Sequence, residues 1–162
     1  MTLRPPTAAD EDGYLRVFLR SEVNAWLRPD PYPNLEPDEV RAMLGDDIRH
    51  WNDHGYGPWA VVDGDSGTYL GRVGLRRTVI SGEEMVELAW TIDPDRHGEG
   101  LATAAAREGL DLARRMGLRE VVALALPTNY ASRAVAEKLG LPCEGKIMHA
   151  GLPHVIYRQP LA

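Results

Sequence analysis

The apolar residues change rhythm twice along this chain. In the first third they recur at helical spacing, and Tyr14, Val17 and Phe18 fall on one face of a helix introduced by the capping box Thr7-Ala8-Ala9-Asp10. Leu3-Arg4-Pro5 before it reads as a short edge strand. Arg28 to Pro33 holds three prolines and is expected to be a loop. A second helix should open at Pro37, a favourable first-turn proline, and run to about His54, where Gly55 and Gly57 stop it. The middle is β-rich. Pro58 to Asp63 and Thr68 to Arg76 form a hairpin around Gly64-Asp65-Ser66-Gly67, and Met85 to Ile92 is a third long strand after the turn Ser81-Gly82. A helix from about Gly98 to Met116, ended by Gly117, comes next. Val121 to Leu126 is wholly apolar, as in a strand covered on both faces. A short helix from Thr128 to Leu139, closed by Gly140, and the strands Cys143 to His149 and His154 to Arg158 complete an α/β (α+β) domain with a mixed sheet.

The junction from Glu87 to Thr103 stands out. A strand runs through a glycine loop into an alanine-rich helix, which aims unpaired N–H groups and the helix dipole at the loop. Such a loop seats a phosphate or pyrophosphate. Gly98 and Gly100 allow a sharp turn and a close approach. It is no Walker loop, because no Gly-Lys-Ser/Thr follows. As a dinucleotide fingerprint it has Thr103 where a third glycine belongs, and no acid ends the next strand to hold a ribose. Those gaps disfavour a nicotinamide-dependent oxidoreductase.

The chain has 162 residues, enough for one domain with a real core. No stretch approaches the roughly 18 continuous apolar residues of a membrane helix. Met1 to Pro6 lacks the apolar run of a signal peptide, so a cytoplasmic chain is expected. The single cysteine, Cys143, is expected in the core, and five irregularly spaced histidines give no metal site. A net charge of −6 argues against nucleic acid and is compatible with a cationic substrate. Monomer and homodimer both stay open.

These motifs carry a resemblance. Leu3-Arg4-Pro5…Asp10, His54-Gly55-Tyr56-Gly57-Pro58-Trp59-Ala60-Val61, Gly71-Arg72-Val73-Gly74-Leu75, Arg96-His97-Gly98-Glu99-Gly100-Leu101-Ala102-Thr103 and Asn129-Tyr130-Ala131-Ser132 before Glu137-Lys138-Leu139-Gly140 cover nearly the whole chain. Together they resemble the GCN5-related N-acetyltransferase (GNAT) superfamily, in its RimJ/RimL-like branch of ribosomal-protein alanine N-acetyltransferases. The resemblance implies the GNAT fold: a mixed, mostly antiparallel sheet of about six to seven strands, splayed at a central parallel pair, with helices on both faces. It implies acetyl-CoA as cosubstrate, lying between Met85–Ile92 and Val121–Leu126. The pantetheine arm would pair with Trp90, Thr91 and Ile92 and touch Asn129. The pyrophosphate would rest on Arg96, His97, Gly98, Gly100, Leu101, Ala102 and Thr103, mainly through backbone amides from about His97 to Ala102. Asp95 stands where the family's loop opens with glutamine or arginine, which leaves Arg96 to supply positive charge.

Acetyl transfer needs a neutral amine, a polarised carbonyl and a proton for the thiolate. Glu87, in an otherwise apolar strand, is the candidate base, and burial would raise its pKa. A backbone N–H of Trp90 to Ile92 would polarise the carbonyl. The superfamily's acidic tyrosine is absent, with Ala136 in its place, so Ser132 becomes the candidate acid ahead of Tyr130, a packed aromatic. His54 and Tyr56 are candidates to face the substrate, with Trp26, Tyr32 and His149 behind them, whereas Trp59 reads as core. The expected activity is acetyl transfer to a primary amine, a protein N-terminus or a small amine, by direct attack. The alternative is a non-catalytic acyl-CoA-binding module on the same fold.

Overall fold

The computed structural model describes residues 1–161. The elements run β1 (Thr2–Arg4), a 3-10 turn (Ala8–Asp10), α1 (Glu11–Phe18), α2 (Ser21–Leu27), α3 (Pro37–His54), β2 (Pro58–Val62), β3 (Tyr69–Ile80), β4 (Glu83–Ile92), a 3-10 turn (Pro94–Arg96), α4 (Leu101–Arg115), β5 (Glu120–Ala125), α5 (Tyr130–Lys138), β6 (Cys143–His149) and β7 (Leu152–Pro160). The capping box is present: Thr7 accepts from the Ala9 amide and Asp10 accepts from the Thr7 amide, and the turn it caps leads into α1. α2, not among the expected helices, carries Val23, Trp26 and Leu27 at helical spacing, but only Val23 of these is buried. Buried Asn24 fixes it by donating to the Phe18 and Arg20 carbonyls at 2.8 and 2.9 Å and accepting from the Leu35 amide at 2.8 Å.

Seven strands form one sheet in the order β1-β2-β3-β4-β5-β7-β6, with β4 and β5 its parallel pair. β3 and β4 are longer than their apolar runs suggest. Their ladder continues to Ile80↔Glu83 across the two-residue turn Ser81-Gly82, whose φ values of 49° and 81° suit the right-handed strand twist. β4 and β5 share a single bridge, Glu87↔Val122. Beyond it the two strands part, giving the expected splay.

Alternation in β2 and β3 divides the core. Ala60, Val62 and Tyr69 pack under α1 and α3, whereas Val61, Leu70, Val73 and Leu75 pack with α4 on the other face. Gly13 lets α1 lie flat on β3, since a Cβ there would stand 2.5 Å from the Tyr69 Cβ. α1 and α3 are tied to β3 by a buried polar knot. Arg72 grips both oxygens of Asp47 at 2.6 and 2.7 Å, and the Tyr14 hydroxyl donates to the same carboxylate at 2.7 Å. Burial pushes the Tyr14 phenol well above its ordinary range. A third small cluster, Ile80, Val122 and Ile156, continues the α3 face toward β6 and β7.

Candidate active site

The glycine loop is built for φ and for open space. Gly98 and Gly100 take φ values of 84° and 75°, and a Cβ on either would meet nothing within 4 Å. α4 begins at Leu101 without a side-chain cap, and its first backbone bond is Ala104 N–H to the Gly100 carbonyl at 3.0 Å. The amides of Leu101, Ala102 and Thr103 therefore point unpaired into the loop. His97 starts outside that set. Its own amide bonds the Pro94 carbonyl at 3.3 Å, and its ring Nε2 donates to the Ile92 carbonyl at 2.9 Å. His97 thus braces the end of β4, and the free donors begin at Gly98.

Arg96 is also otherwise engaged. It holds Glu99 at 2.7 and 3.0 Å and Asp63 at 3.0 Å, and these carboxylates raise its pKa further. Its charge is shared among neighbouring carboxylates rather than left for a phosphate. The unfavourable Asp95 is compensated elsewhere, because Arg20 reaches Asp95 and Asp93, each at 3.0 Å, and Arg16 joins Asp93 as well. The loop is electrically quiet, and its pull on an anion comes from backbone dipoles.

Register decides which part of β4 faces the wedge. The Asp93 amide bonds the Leu70 carbonyl at 2.7 Å, so the residues that bond β3 are those in phase with Asp93: Thr91, Ala89 and Glu87. Thr91 accordingly gives its backbone to Arg72 across the ladder and leaves the wedge-facing set. Trp90 and Ile92 face the gap. With the Ile92 carbonyl held by His97, the Trp90 N–H and C=O and the Ile92 N–H are left open. Across the gap, the Trp90 indole donates to the Ser132 hydroxyl at 3.1 Å. The Asn129 amide oxygen caps α5 by accepting from the Ser132 amide at 3.2 Å, which leaves the Asn129 NH2 unspent. Tyr130 is 71% exposed rather than packed, with Arg133 over its ring. Cys143, expected in the core, is exposed because β6 is the sheet's edge strand.

Glu87 sits at the wedge's apex and is buried, 6% exposed, with its side chain on the α3 face. Arg76 stands opposite on β3, and its Nε and Nη2 both reach Oε2 at 3.2 Å, so Oε1 is unengaged. His54 and Tyr56 do not join it. Tyr56 is buried in the cluster on the α4 face with Leu88 and Leu110, and His54 stacks beside it at 5.8 Å. Tyr56 thus lies across the sheet from Glu87, since Leu88, its neighbour in that cluster, and Glu87 face opposite sides of β4, and His54, the last residue of α3, turns toward Tyr56. Trp59 is buried, as expected.

A family model described as an acetyltransferase (GNAT) domain matches residues 1–142. The chain belongs to the GNAT acetyltransferase family. The uncharacterized protein YkkB of Bacillus subtilis (strain 168) is 32% identical over 113 residues, 67% of this chain and 64% of that one, so the match spans less than two thirds of YkkB. An acetyltransferase from Agrobacterium tumefaciens str. C58 superposes with a TM-score of 0.81 at 26% identity, over 98% of this chain and 89% of that one. Two more distant structures share the fold. One is yncA from Salmonella typhimurium with its cofactor acetyl-CoA (TM-score 0.73, 21% identity, 100% and 94% covered). The other is the ribosomal-protein-S5-alanine acetyltransferase from Vibrio fischeri (0.75, 19%, 98% and 91%).

Acetyl-CoA is the cosubstrate of GNAT acetyltransferases, and the residues present fit it. The uncapped α4 amides suit a pyrophosphate, and the open strand edge at Trp90 and Ile92 suits the amides of a pantetheine arm. The sequence reading passed over Arg76. Counting back from the Ser81-Gly82 turn places it opposite Glu87, so the signal was present.

Proposed function

We propose that this single-domain GNAT protein transfers acetyl from acetyl-CoA to a primary amine, a protein N-terminus or a small amine, by direct attack. The observation that carries the reading is the placement of Glu87. It stands at the apex where the strands part, with an unengaged carboxylate oxygen on the α3 face. Bound acetyl-CoA would supply an acetyl thioester in the wedge. Glu87 Oε1 removes the proton from the acceptor ammonium, freeing its lone pair. The Trp90 N–H donates into the gap, where it polarises a carbonyl oxygen. Indole nitrogen only donates, so the Ser132 hydroxyl accepts in that contact and keeps its own proton for a leaving thiolate. The Asn129 NH2 and the amides from Gly98 to Thr103 orient the remainder of the cosubstrate.

Thermal unfolding with acetyl-CoA, CoA, ATP and NADH added separately tests this. A ligand at about 100 times its Kd adds about 2.7 kcal/mol of stability. Both CoA species should raise Tm, and ATP and NADH should not. Thiol release should then follow when a peptide beginning with alanine, or a simple alkylamine, is added. A response to NADH and not to the CoA species would overturn the reading.

A further inference from the structure

Two arginines on the same face of β3 hold their carboxylates in different ways. Arg72 sets Nε and Nη2 on the two oxygens of Asp47, at 2.6 and 2.7 Å, and the Tyr14 hydroxyl adds a third bond, so that pair is complete. Arg76, further along the strand, turns the same edge to Glu87, but both nitrogens fall on Oε2, at 3.2 Å. This second pair is half made. Glu87 Oε1 and Arg76 Nη1 have no hydrogen-bond partner among the described residues. The buried side-chain nitrogens and oxygens without a partner there are Tyr69 Oη and Arg133 Nε, so Oε1 and Nη1 both keep access to solvent. The Arg76 side chain is 38% exposed, against 12% for Arg72.

A guanidinium has two donor edges: Nε with Nη2 at its side, and Nη1 with the second N–H of Nη2 at its end. Glu87 occupies the side edge of Arg76. The end edge is a planar fork that matches a carboxylate. Arg76 and Glu87 are cross-strand partners on one face, so the fork and Oε1 flank a single ion pair. Oε1 can accept from an ammonium, and the fork can donate to an anion. Because the two belong to one pair, the charges they match must be close together, as across a single carbon. An amine with no acid group meets the Arg76 charge as it nears Oε1, and a carboxylate on the acceptor turns that repulsion into attraction.

Contacts between distant segments bound the same face. Arg72 binds Asp47 of α3, the Tyr32 hydroxyl in the loop before α3 donates to the Ala150 carbonyl at 3.0 Å, and the Ser81 hydroxyl, in the turn after β3, donates to the Met148 carbonyl at 3.0 Å. Arg76 lies on β3 between Arg72 and that turn, within the stretch these contacts enclose, which suits a small acceptor.

We propose that the acceptor is a free α-amino acid, with its ammonium on Glu87 Oε1 and its carboxylate on the end edge of Arg76. This rests on the acetyltransferase reading with Glu87 as base, and it chooses among the acceptors named there. A protein N-terminus carries a neutral amide where the free amino acid carries its carboxylate. Glu87 takes one ammonium proton and returns it to solvent. The freed lone pair bonds to the thioester carbon, the C–S bond breaks, and a second nitrogen proton replaces the one given to the thiolate. The products are an N-acetyl amino acid and CoA, and the carboxylate takes no part in the bond changes.

Thiol release from acetyl-CoA tests this, with alanine, methionine, phenylalanine and glutamate as acceptors beside the α-amide of each. At least one amino acid should exceed its amide about tenfold in kcat/KM, although the amine of the amide loses its proton more readily. Arg76→Gln should bring that ratio near one by raising the KM of the amino acid, and Arg76→Lys should restore part of it. The ratio within one variant cancels any general loss of activity. Amides as good as the acids in the unaltered protein, or a preference that survives Arg76→Gln, would overturn the proposal. Calorimetry on the CoA-saturated protein with the same pairs needs no turnover, and the acid should bind about tenfold more tightly than its amide only when Arg76 is present. Equal binding of acid and amide would overturn the proposal. Acid-selective binding that requires Arg76, with no thiol release from any acceptor, would uphold the carboxylate site and overturn the acetyltransferase reading instead.

Discussion

The two ends of the wedge are made of different material. At the glycine loop the groups proposed to bind are backbone amides, and the charged side chains nearby neutralise one another in the set Arg96, Glu99 and Asp63 and the set Arg20, Asp93 and Asp95. At Glu87 the groups proposed to act are side chains, and one carboxylate oxygen is paired with Arg76 while the other is unengaged. The difference follows from what each end has to do. A cosubstrate that is always the same can be held by the main chain, whose geometry tolerates most substitutions. A proton has to be moved by groups that titrate, and these must be brought together from distant parts of the sequence.

Substitutions can break or sharpen that contrast. The largest expected effect is at Glu87. Glu87→Gln should lower the rate at saturating acetyl-CoA by about 100-fold or more while calorimetry finds the acetyl-CoA Kd unchanged. An equal loss in Kd would mean that the two ends are not separate. Gly100→Val is the mirror experiment. With φ at 75°, a β-branched residue is strained by about 1–2 kcal/mol, so Kd should weaken by about 5- to 30-fold while the saturated rate is retained. Ser132 lies between the two ends. Ser132→Ala removes one hydrogen-bond partner of the Trp90 indole and the proposed acid, and should cost about fivefold in kcat.

The smallest effect is one of pH on stability. Burial lowers the pKa of both His50 and His149. Below the ordinary histidine value of about 6.5 the unfolded chain takes up protons that the folded one refuses, so stability falls with pH until the folded values are passed. Tm should therefore drop on acidification from about pH 7 to pH 5. His50→Gln should flatten that slope, because the His50 Nε2 accepts from the Arg77 amide at 2.9 Å only while unprotonated. An unchanged slope in both His50→Gln and His149→Gln would assign acid sensitivity to the carboxylates.

The loop end was legible in the sequence because its determinants are local. Gly98 to Thr103 form one turn and the start of one helix, and Asn129 to Ser132 cap another. What misled there was side-chain bookkeeping: Arg96 and His97 fall within the motif, but their side chains are engaged by Glu99, Asp63 and the Ile92 carbonyl. The Glu87 end was legible only in part. Arg76 follows from hairpin register, whereas the pinning of the β6–β7 turn by Tyr32 and Ser81 joins distant segments and no local pattern encodes it. His54 and Tyr56 show the converse. Tyr56 lies near the right strands in sequence but packs in the cluster on the α4 face, and His54 at the end of α3 turns toward it.

The single bridge between β4 and β5 has a mechanical consequence. With Glu87 and Val122 as the one backbone bridge along that seam, a rocking of the two halves of the sheet would pivot there and would have to give up the Trp90–Ser132 contact across the gap. A rotation there leaves Glu87 almost stationary, while Ile92, roughly 17 Å further along the strand, swings through an arc. Jaws that widened in this way would admit a long, flexible donor without shifting the proposed base at the fulcrum. Glu87, the residue proposed to handle the proton, is placed where the lever arm is zero.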